Sequence, residues 1–124
     1  MTQPLSVGAD NPDYYKGKVV VLVNEFSVSQ AEYTAMAFRG APNAVVMGSN
    51  TAGADGNISE IRLPGGIKTA ISGIGVFYAD GRATQQIGIV PDIVVQPSIA
   101  GIAAGRDEVL DRAIEVISAA APVN

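Results

Sequence analysis

The chain has no cysteine, no histidine and no tryptophan among its 124 residues. Without cysteine it has no disulfide, no thiolate nucleophile and no cysteine-based metal site, and the redox compartment is left open. Without histidine it lacks the commonest metal ligand and the commonest general base. No metal site and no cofactor are therefore expected, and a serine nucleophile here takes its proton acceptor from another residue type or from outside the chain. Positive charge is also scarce, with eight Lys and Arg against twelve Asp and Glu and a net charge of −4. No basic cluster follows a phosphate backbone, so nucleic acid is not an expected partner. The run Val19–Val23 is far shorter than the ~20 apolar residues a membrane-spanning helix needs. No charged-then-apolar signal segment opens the chain, and the expectation is a soluble protein with no membrane span.

What is present is the material of a packed domain. Hydrophobic residues make up 48% and charged residues 16%, with no low-complexity run or internal repeat. A domain of this size buries roughly two thirds of the surface its unfolded chain exposes. Residues 1–16 are polar, with scattered Gly, Asp and Pro, and read as a flexible lead-in to a domain over 17–124.

The run "GKVVVLV", Gly17 to Val23, has the continuous β-branched character of a central strand in a parallel sheet. A helix is expected over Ser29 to Arg39, with Ala31, Ala35, Met36 and Phe38 on its apolar side and Gly40-Ala41-Pro42 as its stop. "NAVVMG", Asn43 to Gly48, returns as a strand and completes a βαβ unit. The loop "SNTAGADGN" follows at the carboxyl edge, where α/β sheets build sites. "ISEIRLP", "IKTAISG" and "GVFYAD" read as three strand-like pieces, the first two a hairpin. "GIVPDIVVQP" leads into a last strand, and a helix runs from about Asp107 to Ala120.

The informative stretch is "VNEFSVSQAEY", Val23 to Tyr33. Ser27 with Gln30 and Ser29 with Glu32 both match the capping-box spacing of ordinary helix starts. A serine just after a buried strand, in the first turn of a helix, is also placed for nucleophilic attack. The free N–H groups of that turn bind a developing oxyanion, and the helix dipole favours negative charge there. Spacing leaves open whether both serines simply cap, or Ser27 caps and Ser29 projects its hydroxyl.

The order of the segments adds to this reading. "VVVLVNEFSVSQAEYTAMAFRG", then "VVMGSNTAGADGN", the "LPGG" hairpin and "GIVPDIVV" together resemble the C-terminal-processing (tail-specific) serine peptidases, peptidase family 41 of the serine type, over about Lys16 to Ile117. The resemblance implies a partial ClpP/crotonase-like α/β fold with a βαβ unit, a short hairpin region and a C-terminal helix. It implies proteolysis of peptides or protein tails through an acyl-enzyme on Ser29, with the Gln30 N–H as an oxyanion donor. Glu32 falls on the acidic residue that usually follows the nucleophile. Ala54 occupies the place of the lysine base of the tail-processing branch, so the likeness is to the tricorn-core branch, which draws a histidine from earlier in the domain. Gln85 is the nearest match to that branch's glutamate.

The resemblance further implies a missing N-terminal half of the catalytic domain, weak or no activity for this chain alone, and an exported or periplasmic location. The alternative is a non-catalytic module that self-associates as a homo-oligomer or binds peptides. Other features carry blander readings. Asp55 in "GADGN" reads as a turn residue, "GIG" at Gly73 to Gly75 is no dinucleotide site, Lys68 faces solvent on the hairpin and Asp92 orders its turn. Tyr14, Tyr15, Phe77 and Tyr78 read as packing residues before groove residues.

Overall fold

A computed structural model describes residues 10–119. Strand β1, Val19–Val23, leads through a turn into helix α1, Gln30–Arg39, and back into β2, Ala44–Gly48. β1 and β2 pair in parallel, in register from Val19 opposite Ala44 to Val23 opposite Gly48. The expected βαβ unit is thus present. The hairpin comes next, β3, Ile58–Arg62, antiparallel to β4, Lys68–Ser72. Strand β5, Ile93–Val94, pairs in parallel with β2, so the main sheet runs β1-β2-β5. Helices α2, Ile99–Ala103, and α3, Glu108–Ser118, follow.

The centre of the sheet is β2. β1, expected to be central, is an edge strand among the described residues, and its Leu22 is 41% exposed. The β-branched run drives strand formation equally at a centre or an edge, so composition does not separate the two. One core cluster holds Val23, Ala35, Val46 and Ile89, with Val21, Met36 and Tyr78 against it. By strand alternation Leu22 and its register partner Met47 point to the opposite face. α3 packs on β1 and β2 as well, with Ala113 buried.

On α1 the apolar stripe differs from expectation. Ala31 and Phe38 are exposed, and Glu32 takes a fully buried place beside Ala35. A charged residue on a buried face is the first sign that this helix does more than pack.

Close packing fixes Gly48. Its φ is 132°, and a Cβ there would collide with the Val23 carbonyl oxygen across the β1–β2 ladder.

Three further expectations are corrected. "GVFYAD" forms no strand, only an isolated bridge from Phe77 to Ala83. The chain turns back there, with Gly81 N–H donating to Tyr78 O and Asp80 Oδ1 accepting from Arg82 N–H, so the ladder ends after one pair. The last strand shrinks to Ile93–Val94. "SIAGIA", left without an element, is helix α2, capped by Ser98 Oγ accepting from Gly101 N–H. At five residues it is little more than one turn, too short for a helical period to stand out in the sequence.

α3 starts as expected, with Asp107 Oδ1 accepting from Leu110 N–H at 2.9 Å. Ala120, its expected end, lies outside the described residues, as does the lead-in before residue 10; residues 10–16 carry no helix or strand. No helix among the described residues is long and apolar enough to cross a membrane.

Candidate active site

The turn between β1 and α1 is built by Asn24 and Ser27. Ser27 N–H donates to Asn24 O at 2.9 Å, Asn24 N–H donates to Ser27 Oγ at 3.1 Å, and Phe26 N–H donates to Asn24 Oδ1 at 3.0 Å. Ser27 therefore closes this turn and does not cap the helix. The N-cap is Ser29, one residue earlier in the helix frame than a first-turn serine. The reading in which Ser27 caps and Ser29 follows in the first turn is thus corrected: both serines satisfy the spacing, and the Asn24 contacts, which spacing does not encode, decide between them.

Ser29 has φ 55° and ψ −117°, an unusual backbone for a residue with a side chain. Such conformations cost roughly 1–3 kcal/mol and persist only where the surroundings over-determine them. The serine is exposed, and the Glu32 N–H that a capping hydroxyl would accept from donates at 2.8 Å to the Ser29 carbonyl oxygen. Among the described residues no acceptor takes the Gln30 N–H. An exposed hydroxyl thus stands next to an unpaired N–H at a helix start, which is the arrangement an oxyanion needs.

Glu32 supplies the over-determination. Its buried carboxylate accepts from Thr51 Oγ1 at 2.5 Å and Gly53 N–H at 2.8 Å on Oε1, and from Ser29 N–H at 3.1 Å and Ala54 N–H at 3.0 Å on Oε2. Burying a carboxylate costs several kcal/mol unless donors replace water. Four donors and the positive end of α1 offset that cost. The Gly-rich loop is drawn to Ser29 as a result. Ser29 N and Ala54 N each lie within 3.1 Å of one oxygen, so they are no more than about 6 Å apart. Alanine at that place offers no proton acceptor.

The loop is stitched from its far side too. Ala52 N–H donates to Ser27 O at 3.0 Å, and Ile89 N–H donates to Thr51 Oγ1 at 2.7 Å. Gln85 donates from Nε2 to Asp55 O and Ile74 O, both at 2.8 Å, and accepts from Val76 N–H at 3.3 Å. Its amide is thus spent on backbone groups beside the loop. Asp92 orders more than its own turn. It accepts from Val46 N–H at 2.8 Å and from Arg39 Nη2 at 3.2 Å, locking the "GIVPD" segment to β2 and α1. Lys68 lies on β4 beside Glu60, at 3.8 Å, and remains mostly exposed. Tyr14, Tyr15 and Phe77 are exposed, while Tyr78 borders the core and its hydroxyl accepts from Arg39 Nη1.

Peptidase family S41 matches residues 3–95. The chain belongs to peptidase family S41. This S41 chain is similar to solved structures of the same kind. A candidate peptidase of Parabacteroides merdae ATCC 43184 shares 30% identity at a TM-score of 0.79, over 85% of this chain and 33% of that one. Mature CPAF complexed with lactacystin shares 25% at 0.75, over 87% of this chain and 22% of that one. The photosystem II D1 C-terminal processing protease shares 26% at 0.55, over 66% of this chain and 21% of that one. No curated protein matches the S41 chain. It spans about a third of the length of the Parabacteroides merdae protein.

Thr51 carries no motif signal, and Glu32, which matches the acidic residue that usually follows the family's nucleophile and stands at capping-box spacing from Ser29, carries no sequence signal for the four bonds it accepts. Asp55 is 5% exposed, accepts from Gly56 N–H at 2.7 Å through Oδ1, and has no partner for Oδ2 among the described residues. Burial pushes its carboxyl above the ordinary aspartate value, the Gly56 N–H opposes this, and the Glu32 charge adds to it.

A raised folded-state value means that native Asp55 holds its proton at a pH where the unfolded chain has lost it. Its contribution is fully present below the unfolded value near ~4 and is lost as pH rises through the folded value. Asp55→Asn does not titrate. It is therefore expected to gain stability relative to the wild type as pH rises from 3 to 7 in thermal melts; parallel melting-point curves across that range would refute the assignment.

Proposed function

We propose that this S41 chain is the nucleophile-bearing part of a serine peptidase that cleaves peptides or protein tails. The observation that carries this reading is the Ser29 backbone at φ 55°, which presents an exposed hydroxyl beside the unpaired Gln30 N–H. Ser29 Oγ attacks the scissile carbonyl carbon while a base takes its proton. The carbonyl oxygen becomes an oxyanion and accepts from Gln30 N–H. As the tetrahedral centre collapses, the C–N bond breaks, the amine leaves with that proton, and an ester remains on Ser29. Water then hydrolyses the ester by the same route in reverse roles.

The base lies outside this chain, since histidine is absent and Ala54 stands at the lysine place. A histidine from the rest of the catalytic domain fits the need, and the short span against the relatives supports that source. Gln85, the nearest match to the tricorn-core branch's glutamate, serves the site by bracing Asp55 and Ile74. Kinship with a C-terminal processing protease supports protein tails as substrates. An exported or periplasmic location is inferred from family kinship alone.

A fluorophosphonate probe tests the reading on the longer polypeptide that carries this chain. It is expected to label Ser29, mapped by peptide mass, and to leave Ser29→Ala unlabelled. An unlabelled wild type would sink the proposal and leave a second reading, a self-associating or peptide-binding module. One observation favours that second reading. Every residue of β3 and β4 is exposed, including Ile58 and Ile71, which is an apolar surface suited to another chain.

A further inference from the structure

Glu32 is fully buried, and among the described residues its carboxylate makes no salt bridge and accepts its hydrogen bonds from Ser29, Thr51, Gly53 and Ala54. Two segments that meet only through folding are thereby tied at one carboxylate. We infer that Glu32 is a positioning residue, whose carboxylate holds the Val28–Ser29 peptide against the Thr51–Ala54 loop in the geometry required for attack. The inference rests on the peptidase reading of Ser29.

Each bond has a consequence at the reacting centre. By accepting the Ser29 N–H, Glu32 fixes the peptide plane on one side of a residue whose φ of 55° is otherwise unfavourable. It also satisfies that N–H, leaving the adjacent Gln30 N–H as the free donor. By accepting Gly53 N–H and Ala54 N–H, it sets the loop that walls the nucleophile. Thr51 Oγ1 extends the tie, donating to Glu32 while accepting from Ile89 N–H. Both carboxylate oxygens are needed as acceptors. Glutamine keeps the volume but places an NH₂ against two of the four donors.

The test uses the longer polypeptide with Glu32→Gln, Thr51→Val and, as a purely destabilising reference, Ala113→Gly on α3. The fluorophosphonate labelling rate at Ser29 is normalised to the folded fraction by circular dichroism, and kcat and KM are measured on a fluorogenic peptide. A displacement of about 1 Å at a reacting centre costs on the order of 100-fold. Glu32→Gln is therefore expected to lower kcat and labelling about 100-fold with KM within about twofold. Thr51→Val, which removes one donor, is expected to lower them about tenfold, and Ala113→Gly to leave the rate per folded molecule unchanged. If Glu32→Gln does not fold, Thr51→Val decides alone. Wild-type rates per folded molecule in the variants would overturn the positioning role while leaving Ser29 as nucleophile. An unlabelled wild type would overturn both.

Discussion

Gly48→Ala is expected to lower the stability of the chain by about 3–5 kcal/mol, the sum of a strained backbone and an overpacked contact. At φ 132° an added Cβ meets the Val23 carbonyl oxygen, a backbone atom of the paired strand that has no rotamer to yield. Relief requires β1 and β2 to part at the end of their ladder, where Val23 pairs with Gly48. Ser49 N–H also donates to Val23 O there, so the Gly-rich loop moves with it. Gly65→Ala is the control. Gly65 has φ 86° but nothing within 4 Å of an added Cβ, so only the conformational cost applies, about 1 kcal/mol. Urea denaturation reads both: equal midpoint shifts for the two variants would show that the Val23 contact is not what constrains Gly48.

The second large effect is expected between this chain alone and a longer polypeptide that, on the proposed reading, adds the base. General-base catalysis contributes typically ~10²–10⁴-fold, so peptide hydrolysis by the 124-residue chain should be slower by that factor at equal concentration. The proposed nucleophile Ser29 and the Gln30 N–H both lie in the chain, so the absent base by itself predicts a deficit at least this large. Comparing initial rates on one fluorogenic peptide, with Ser29→Ala as the blank for each, measures it. Comparable rates from the two would mean that a proton acceptor within the chain activates Ser29, and the external histidine would then be discarded.

Much of the local architecture was legible. The β-branched run from Val19, the stop at Gly40-Ala41-Pro42 and the Asp107 cap each depend on residues within a turn of one another, and each element formed where those signals stand. The hairpin of β3 and β4 was equally plain from its Gly-Gly turn. α2 and the failed strand at "GVFYAD" were not, because short segments rich in Ala and Gly, or bent by an Asp-Gly turn, carry no decisive period.

The site divides along the same line. Ser29 stood out through the order of motifs, but its N-cap position and its backbone at φ 55° depend on contacts beyond its own turn. Sequence by itself determined the α/β class, the βαβ unit and the absence of any histidine to act as base, since these follow from residue types and short-range spacing, while the order of its motifs carried only a resemblance to the family. Tertiary structure alone decided that β2 is central, that Ser27 serves a turn and that Glu32 is buried at the hub of the site. The physical reason is range: Gly53 and Ala54 donate to Glu32 from more than twenty residues along the chain, and only the closed fold brings those N–H groups to one carboxylate.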